Sequence, residues 1–213
     1  MSSHDARLPD TLADRARELL ARHPDGRVIL GIAGAPGSGK STLAALLAGA
    51  IGKNAIVLPM DGFHLANVSL RQLGIADRKG APDTFDAAGF AALLHRVRHE
   101  STATVYAPEF RREIEEPIAG AVAIGPGHRL VVVEGNYLLL DGPWSVVRGM
   151  LHESWFLDVP EDLRDGRLHA RHVRFGRTPD AARAWMEHTD MPNARLIQAA
   201  SGRADLIVRW TDR

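Results

Sequence analysis

Eight consecutive residues constrain this chain more than any other feature. Gly34-Ala35-Pro36-Gly37-Ser38-Gly39-Lys40-Ser41 fits the pattern G-x-x-x-x-G-K-[ST]. Its glycines let the backbone curl until successive N–H groups point inward at phosphate oxygens. A helix beginning at Lys40 adds the positive end of its dipole. Lys40 is then placed to reach the β- and γ-phosphates of a nucleotide, and the Ser41 hydroxyl to ligate magnesium, with Thr42 next in the same turn. The flanks agree. RVILGIAG (27–34) is apolar, rich in branched residues and bounded by glycines, which predicts a buried strand, and STLAALLAGAI reads as a helix. The bland alternative is a glycine-rich turn that matches by chance. The strand–loop–helix context argues against it, as does the scarcity of lysine: only Lys40, Lys53 and Lys79 occur, and one stands at the required place.

The rest of the chain alternates strands with helices. TLADRARELLARH after Pro9-Asp10 reads as a helix with Asp10 as its N-cap and an apolar face of Leu12, Ala16, Leu19 and Leu20. NAIVLPM (54–60) is a second strand. Residues 61–85 read as loop with one short helix, and Asp86 caps a helix to about His99. TATVYA (102–107) is a short strand, followed by an irregular or hairpin-like stretch. LVVVEG (130–135) and SWFLDV (154–159) are strands, PWSVVRGML a short helix, and Pro160 to Arg174 a helix favoured by Pro, Glu161 and Asp162 in its first turn. Helical patterns run on to about Ala200, and ADLIVRW (204–210) closes as a strand. This order predicts an α/β protein with a parallel sheet covered on both faces. A length of 213 residues against about 150 per domain predicts a single domain, 1–213, with an N-terminal helix over 1–25 and a lid over about 160–190.

Charge and composition narrow the partners. Acidic and basic residues balance at 26 each, so the excess of Lys and Arg that a duplex binder needs is missing. No cysteine occurs, which removes disulfides, thiolate metal sites and cysteine nucleophiles. No window approaches about 18 uninterrupted apolar residues, and MSSHDARLPD lacks the basic start and apolar core of an export leader. These readings predict a cytoplasmic protein that engages neither nucleic acid nor membrane. They leave a homodimer open.

Three later segments choose among phosphate-loop proteins. Asp61, in MDGFH past the second strand, stands where a parallel sheet presents residues to its ligand crevice. There it can accept a proton from a hydroxyl that attacks the γ-phosphate; the plainer alternative is a helix-capping Asp. Glu134 ends the apolar strand LVVVEG and is the candidate magnesium-side carboxylate, against a solvent-facing strand end. Arg164, Arg167, Arg171 and Arg174 lie within roughly 80° of helix circumference. Such a stripe, followed by Arg177, suits a lid that clamps a transferring phosphate; its alternative is a solvated helix face.

The order of GAPGSGKS, MDGFH, RKGAPDTFD, VVVEGNYLLL and the arginine helix resembles the superfamily of uridine kinase, pantothenate kinase and phosphoribulokinase, over residues 28–210. The resemblance implies a P-loop NTPase fold with a five-stranded parallel sheet in order 2-3-1-4-5, helices on both faces and a helical lid. It implies ATP and magnesium, and transfer of the γ-phosphoryl group to a hydroxyl of a small metabolite. A catalytic Asp matches at Asp61, an acidic strand-end residue at Glu134, and lid arginines at Arg167, Arg171 and Arg174. By resemblance alone, adenine belongs near Arg203-Ala204-Asp205. The acceptor cues divide. Asp61-Gly62-Phe63 and the segment carrying Arg78 and Lys79 look like pantothenate kinase, whereas His64 looks like phosphoribulokinase. Tyr106 can stack on a ring, and Arg111 or Arg112 can grip a carboxylate or phosphate, unless Glu109, Glu113, Glu115 and Glu116 merely pair with them at the surface. A nucleoside or sugar acceptor leads, a pantothenate-like acceptor is the alternative, and a slow regulatory nucleotide switch is the competing class.

Overall fold

The computed structural model describes residues 7–210; the first six residues of the segment read for an export leader lie outside them. Helix α1 (Asp10–Arg22) buries Leu12, Ala16 and Leu19. Its cap position is held by Pro9, with no side-chain cap, rather than by Asp10. Asp10 instead sits in the first turn, where its charge still meets the positive end of the helix. Strand β1 (Val28–Ala33) runs into the glycine loop, and α2 (Lys40–Ile51) leaves it. Then come β2 (Ala55–Pro59), a 3-10 turn at Met60–Phe63, α3 (Asn67–Gln72) and α4 (Ala87–His99). Asp86 caps α4 by accepting a hydrogen bond from Gly89 N at 2.8 Å, as its sequence predicts.

Strands β3 (Val105–Arg111) and β4 (Glu116–Ile124) form an antiparallel hairpin separate from the main sheet. The hairpin is longer and more regular than the sequence suggests. Its register shifts between Ala107 and Glu109, the position of Pro108, which has no N–H to give the ladder. The chain continues through β5 (Leu130–Gly135), α5 (Ser145–Met150), β6 (Glu153–Leu157), α6 (Glu161–Arg174) and α7 (Pro179–Trp185). A π-helical turn at Met186–Asp190, α8 (Met191–Ala199) and β7 (Leu206–Val208) complete it.

The main sheet has the parallel order β2-β5-β1-β6-β7, the 2-3-1-4-5 arrangement when its own five strands are counted. Alternate residues of the central strands feed two cores. Val28, Leu30 and Ile32 of β1, with Leu130 and Val132 of β5, pack towards α1 and α2. Ile29, Val131 and Val133 pack towards α4, α5 and α8. Burial on both faces explains why these strands read as continuous apolar runs. Among the described residues no helix is long and apolar enough to cross a membrane.

Register brings the chemistry together. Glu134 lies opposite Ile32 on one side and Pro59 on the other, so the last turns of β1, β2 and β5 end on one rim. Buried Arg27 fastens the hairpin to this frame: its guanidinium donates to the carbonyls of Val97, Ile124, Gly125 and His128. The turn carrying Asp61 is pressed against β3 at Gly62, where an added Cβ would stand 2.3 Å from Pro108 O. Gly62→Ala is therefore expected to destabilise the protein by about 1–3 kcal/mol, as overpacking does. It should also lower activity, because the same shift displaces Asp61. Urea unfolding and a turnover assay check this; an unchanged midpoint with full activity contradicts it.

Candidate active site

The glycine loop holds the conformation its sequence demands. Gly37 and Gly39 have φ of 77° and 92°, a region that costs other residues energy. A Cβ on Gly37 would come within 2.6 Å of Arg164 O, so helix α6 packs directly on the loop. Ser38 Oγ is buried and, among the described residues, has no hydrogen-bond partner. Lys40 is 8% exposed and folds back over the loop, donating from Nζ to Ala35 O at 3.1 Å. Burial pulls its pKa down to about 8, against the opposing charges of Glu134 and Asp61. Ser41 Oγ donates to Glu134 Oε1 at 3.0 Å. Burial and the nearby charge of Asp61 raise the pKa of Glu134 above the carboxylate range.

These residues fit ATP and magnesium. A curled loop without side chains at its contact points, an unpartnered buried hydroxyl at Ser38 and a buried lysine suit phosphate oxygens. The Ser41 hydroxyl and Glu134 carboxylate are hard oxygen donors. Magnesium usually takes only one or two protein ligands beside phosphates and water, so the site needs no larger cluster.

A cavity of about 550 Å³ opens beside the loop, with Pro36, Lys40, Ser41, Asp61, His64, Lys79, Arg112, Glu134 and Arg171 in its walls. Asp61 Oδ2 accepts a hydrogen bond from Arg112 Nη2 at 3.1 Å. Burial works to raise the pKa of Asp61, but surrounding positive charge outweighs it and holds the group below the usual value. The His64 ring lies between Phe85 and Phe110, at centroid distances of 3.9 and 4.5 Å. Its Nδ1 is 2.7 Å from Asp61 O. Burial lowers its pKa, against the opposing charge of Asp61. The charges that hold Asp61 down are, largest first, those of His64, Arg112, Lys40 and Arg171. Arg171 points into the cavity and is itself pushed down by burial, with Arg112 adding repulsion.

Other sequence-stated candidates lie elsewhere. Gly34, Ala35, Gly37, Ser38 and Gly39 form the loop itself, while Thr42 is exposed on α2 and outside the cavity wall. Arg78 is outside the wall, paired with Asp83 at the surface. Tyr106 is 60% exposed on β3, and Arg111 turns outward to Glu109 at 3.1 Å; neither lines the cavity. Alternation from Phe110 turns Arg111 away from the cavity, whereas Tyr106 has the parity of Phe110 and is separated from it by the register shift between Ala107 and Glu109. The four-arginine stripe does not act as one surface. Arg164 is buried, with Nε donating to Val159 O at 3.1 Å. Arg167 lies 3.4 Å from Gly37 O and 3.5 Å from Ser38 O, on the loop. Arg174 is exposed beside Phe175. Arg203 is the clearest displacement. It precedes β7 and so lies towards the amino end of a parallel strand, whereas the glycine loop follows the carboxyl end of β1. Its guanidinium is held by Leu139 O and Asp141.

Several wall residues have no site role assigned from sequence, Arg177 being read there only as following the arginine stripe. Asn67 anchors Lys79, accepting from Nζ at 2.7 Å. Arg177 stacks over Trp185 at 4.0 Å. His172 Nε2 lies 2.7 Å from Asp190 Oδ2, joining α6 to the π-helical turn, a type of turn frequent at functional sites. The one available sign was position, since His172 follows Arg171 directly.

No family model matches the chain. A protein of Aspergillus versicolor named as ATP-dependent kinase-like is 42% identical over 147 residues, 63% of this chain and 84% of the relative. A protein of Schizosaccharomyces pombe named as a candidate uridine kinase is 34% identical over 212 residues, 94% of this chain and 89% of the relative. Among solved structures, a protein of Silicibacter sp. TM1040 described as a candidate fructose transport system kinase superposes with a TM-score of 0.86. It is 42% identical and covers 94% of this chain and 98% of its own.

Proposed function

Since the chain belongs to the P-loop small-molecule kinases, the superfamily of uridine kinase and pantothenate kinase, we propose that Asp61 is the base for its acceptor hydroxyl and that Lys40, Ser41, Glu134 and Arg171 serve the nucleotide. The enzyme is an ATP-dependent phosphotransferase with a hydroxyl acceptor. One observation carries the residue roles: Asp61, Lys40, Glu134 and Arg171 line one cavity beside the glycine loop, although they come from four separate elements.

Bound ATP with magnesium supplies the γ-phosphoryl group and a centre of positive charge for its transfer. The chain's own residues do the rest. Arg112 occupies Asp61 Oδ2, which leaves Oδ1 to take the acceptor's hydroxyl proton. Lys40 leaves its weak bond to Ala35 O for phosphate oxygens, and Ser41 and Glu134 face the metal. Arg171 is held in a partly dehydrated wall, where its charge acts strongly on a phosphoryl group in flight. Arg167 and Arg174 fall outside this working set. The even charge balance and this small enclosed site favour a cytoplasmic enzyme of small molecules rather than nucleic acid.

The names of the relatives diverge, one citing uridine and one fructose, so an acceptor screen is the test. Purified enzyme with magnesium and ATP should release ADP far faster in the presence of one class among nucleosides, sugars, pantothenate and sugar phosphates than with ATP alone. ATP turnover that no acceptor changes would instead favour a regulatory hydrolase.

A further inference from the structure

Two adjacent arginines at the end of β3 take opposite paths. Arg111 turns out to Glu109, and Arg112 turns in to Asp61. Arg112 gives Asp61 a single hydrogen bond, from Nη2 to Oδ2. A guanidinium has five N–H donors in a rigid fork, and among the described residues no other hydrogen bond from Arg112 is formed. Four donors therefore remain at a residue in the cavity wall. The Phe110 ring carries two cations at this end, Arg112 at 5.9 Å and Lys79 Nζ at 5.1 Å from its centroid. Lys79 is already bound by Asn67 and by Glu115 O, so it contributes field more than grip.

This arrangement works against simple base catalysis. A cation on a carboxylate lowers its proton affinity, whereas a base is best matched near the working pH. The cost has a purpose if the same guanidinium also recognises the substrate. We propose that the acceptor carries an anionic group, a carboxylate or a phosphate, beside the hydroxyl that is phosphorylated, and that Arg112 binds it with the donors Asp61 does not use. The proposal rests on the kinase reading above and narrows its acceptor from neutral nucleosides and sugars to anionic hydroxy compounds. Sharing Arg112 with a substrate anion also weakens its hold on Asp61, so the base strengthens when the correct acceptor arrives.

Matched acceptor pairs test this with wild-type enzyme alone. Glycerate against glycerol and pantothenate against pantothenyl alcohol form the carboxylate arm. Fructose 6-phosphate against fructose and uridine 5′-phosphate against uridine form the phosphate arm. In the arm that contains the true class, the anionic member should have the higher kcat/KM by about 10- to 100-fold, the worth of a charged hydrogen-bonded pair. Arg112→Gln should lower kcat/KM for that member at least about tenfold more than for its neutral counterpart, and Arg112→Lys should restore part of the preference. Neutral members used as well as or better than anionic ones overturn the proposal and leave the kinase reading standing. An Arg112→Gln variant that lowers both members of a pair alike also overturns it. Failure of wild-type enzyme to phosphorylate either member of any pair overturns the kinase reading, and the proposal with it.

Discussion

Asp61→Asn is expected to lower kcat by about 10²- to 10⁴-fold, the range for a positioned acid or base. Asparagine keeps the shape of the side chain and an oxygen for Arg112, and loses only the capacity to take a proton. ATP affinity should hardly change, because the nucleotide is held by the glycine loop, Lys40 and the metal side of the cavity. If Asp61 were only an ion-pair partner of the half-exposed Arg112, the substitution would cost at most about 1 kcal/mol of stability and leave turnover intact. One turnover assay and one melting curve separate these outcomes. The pH dependence has a definite sign. The Asp61 pKa is depressed, so its ion pairs contribute fully above the ordinary value of about 3.9 and are lost as pH falls through the lower folded value.

Lys40→Met should abolish phosphoryl transfer and, unlike most active-site changes, stabilise the fold. Lys40 is buried and its pKa is lowered from 10.5 to about 8, so the folded state disfavours its charged form. That cost is fully present below pH 8 and disappears between pH 8 and 10.5, as the folded protein sheds a proton the unfolded chain retains. A shift of this size corresponds to about 3 kcal/mol. Losing the hydrogen bond to Ala35 O returns about 1 kcal/mol, which leaves a gain of about 2 kcal/mol at pH 7 for an apolar side chain of similar length. Urea unfolding at pH 7 measures the gain. A variant less stable than wild type, or one that still transfers phosphate, contradicts the account of Lys40.

Local chemistry made much of this legible from sequence. The strand LVVVEG, the loop from Gly34 to Ser41 and the cap at Asp86 depend on neighbours in the chain, and the structure keeps each where the sequence puts it. The sheet order followed from a resemblance and holds in the structure. What sequence missed depends on distant pairing. Which of Arg111 and Arg112 faces inward is decided by the hairpin register and the bulge at Pro108, and neither residue type nor local spacing encodes that. The arginine stripe misled for a related reason. Helical periodicity places four side chains on one face, but what packs against each turn differs: Val159 O at Arg164, the glycine loop at Arg167, the cavity at Arg171 and solvent at Arg174. Arg203 shows that a residue before a parallel strand and one after it lie at opposite ends of a sheet, a distinction that strand direction supplies and motif order does not.

The central claim is that this cavity moves a phosphoryl group from ATP to an organic hydroxyl. The most direct measurement follows ATP labelled with radioactive phosphorus in its γ-phosphate, incubated with enzyme and the best acceptor of the screen, with the products separated by chromatography. The account predicts that the label appears in a phosphorylated acceptor, with little inorganic phosphate, and that this product vanishes with Lys40→Met and falls steeply with Asp61→Asn. Label found only in inorganic phosphate, at a rate the acceptor does not alter, would contradict it.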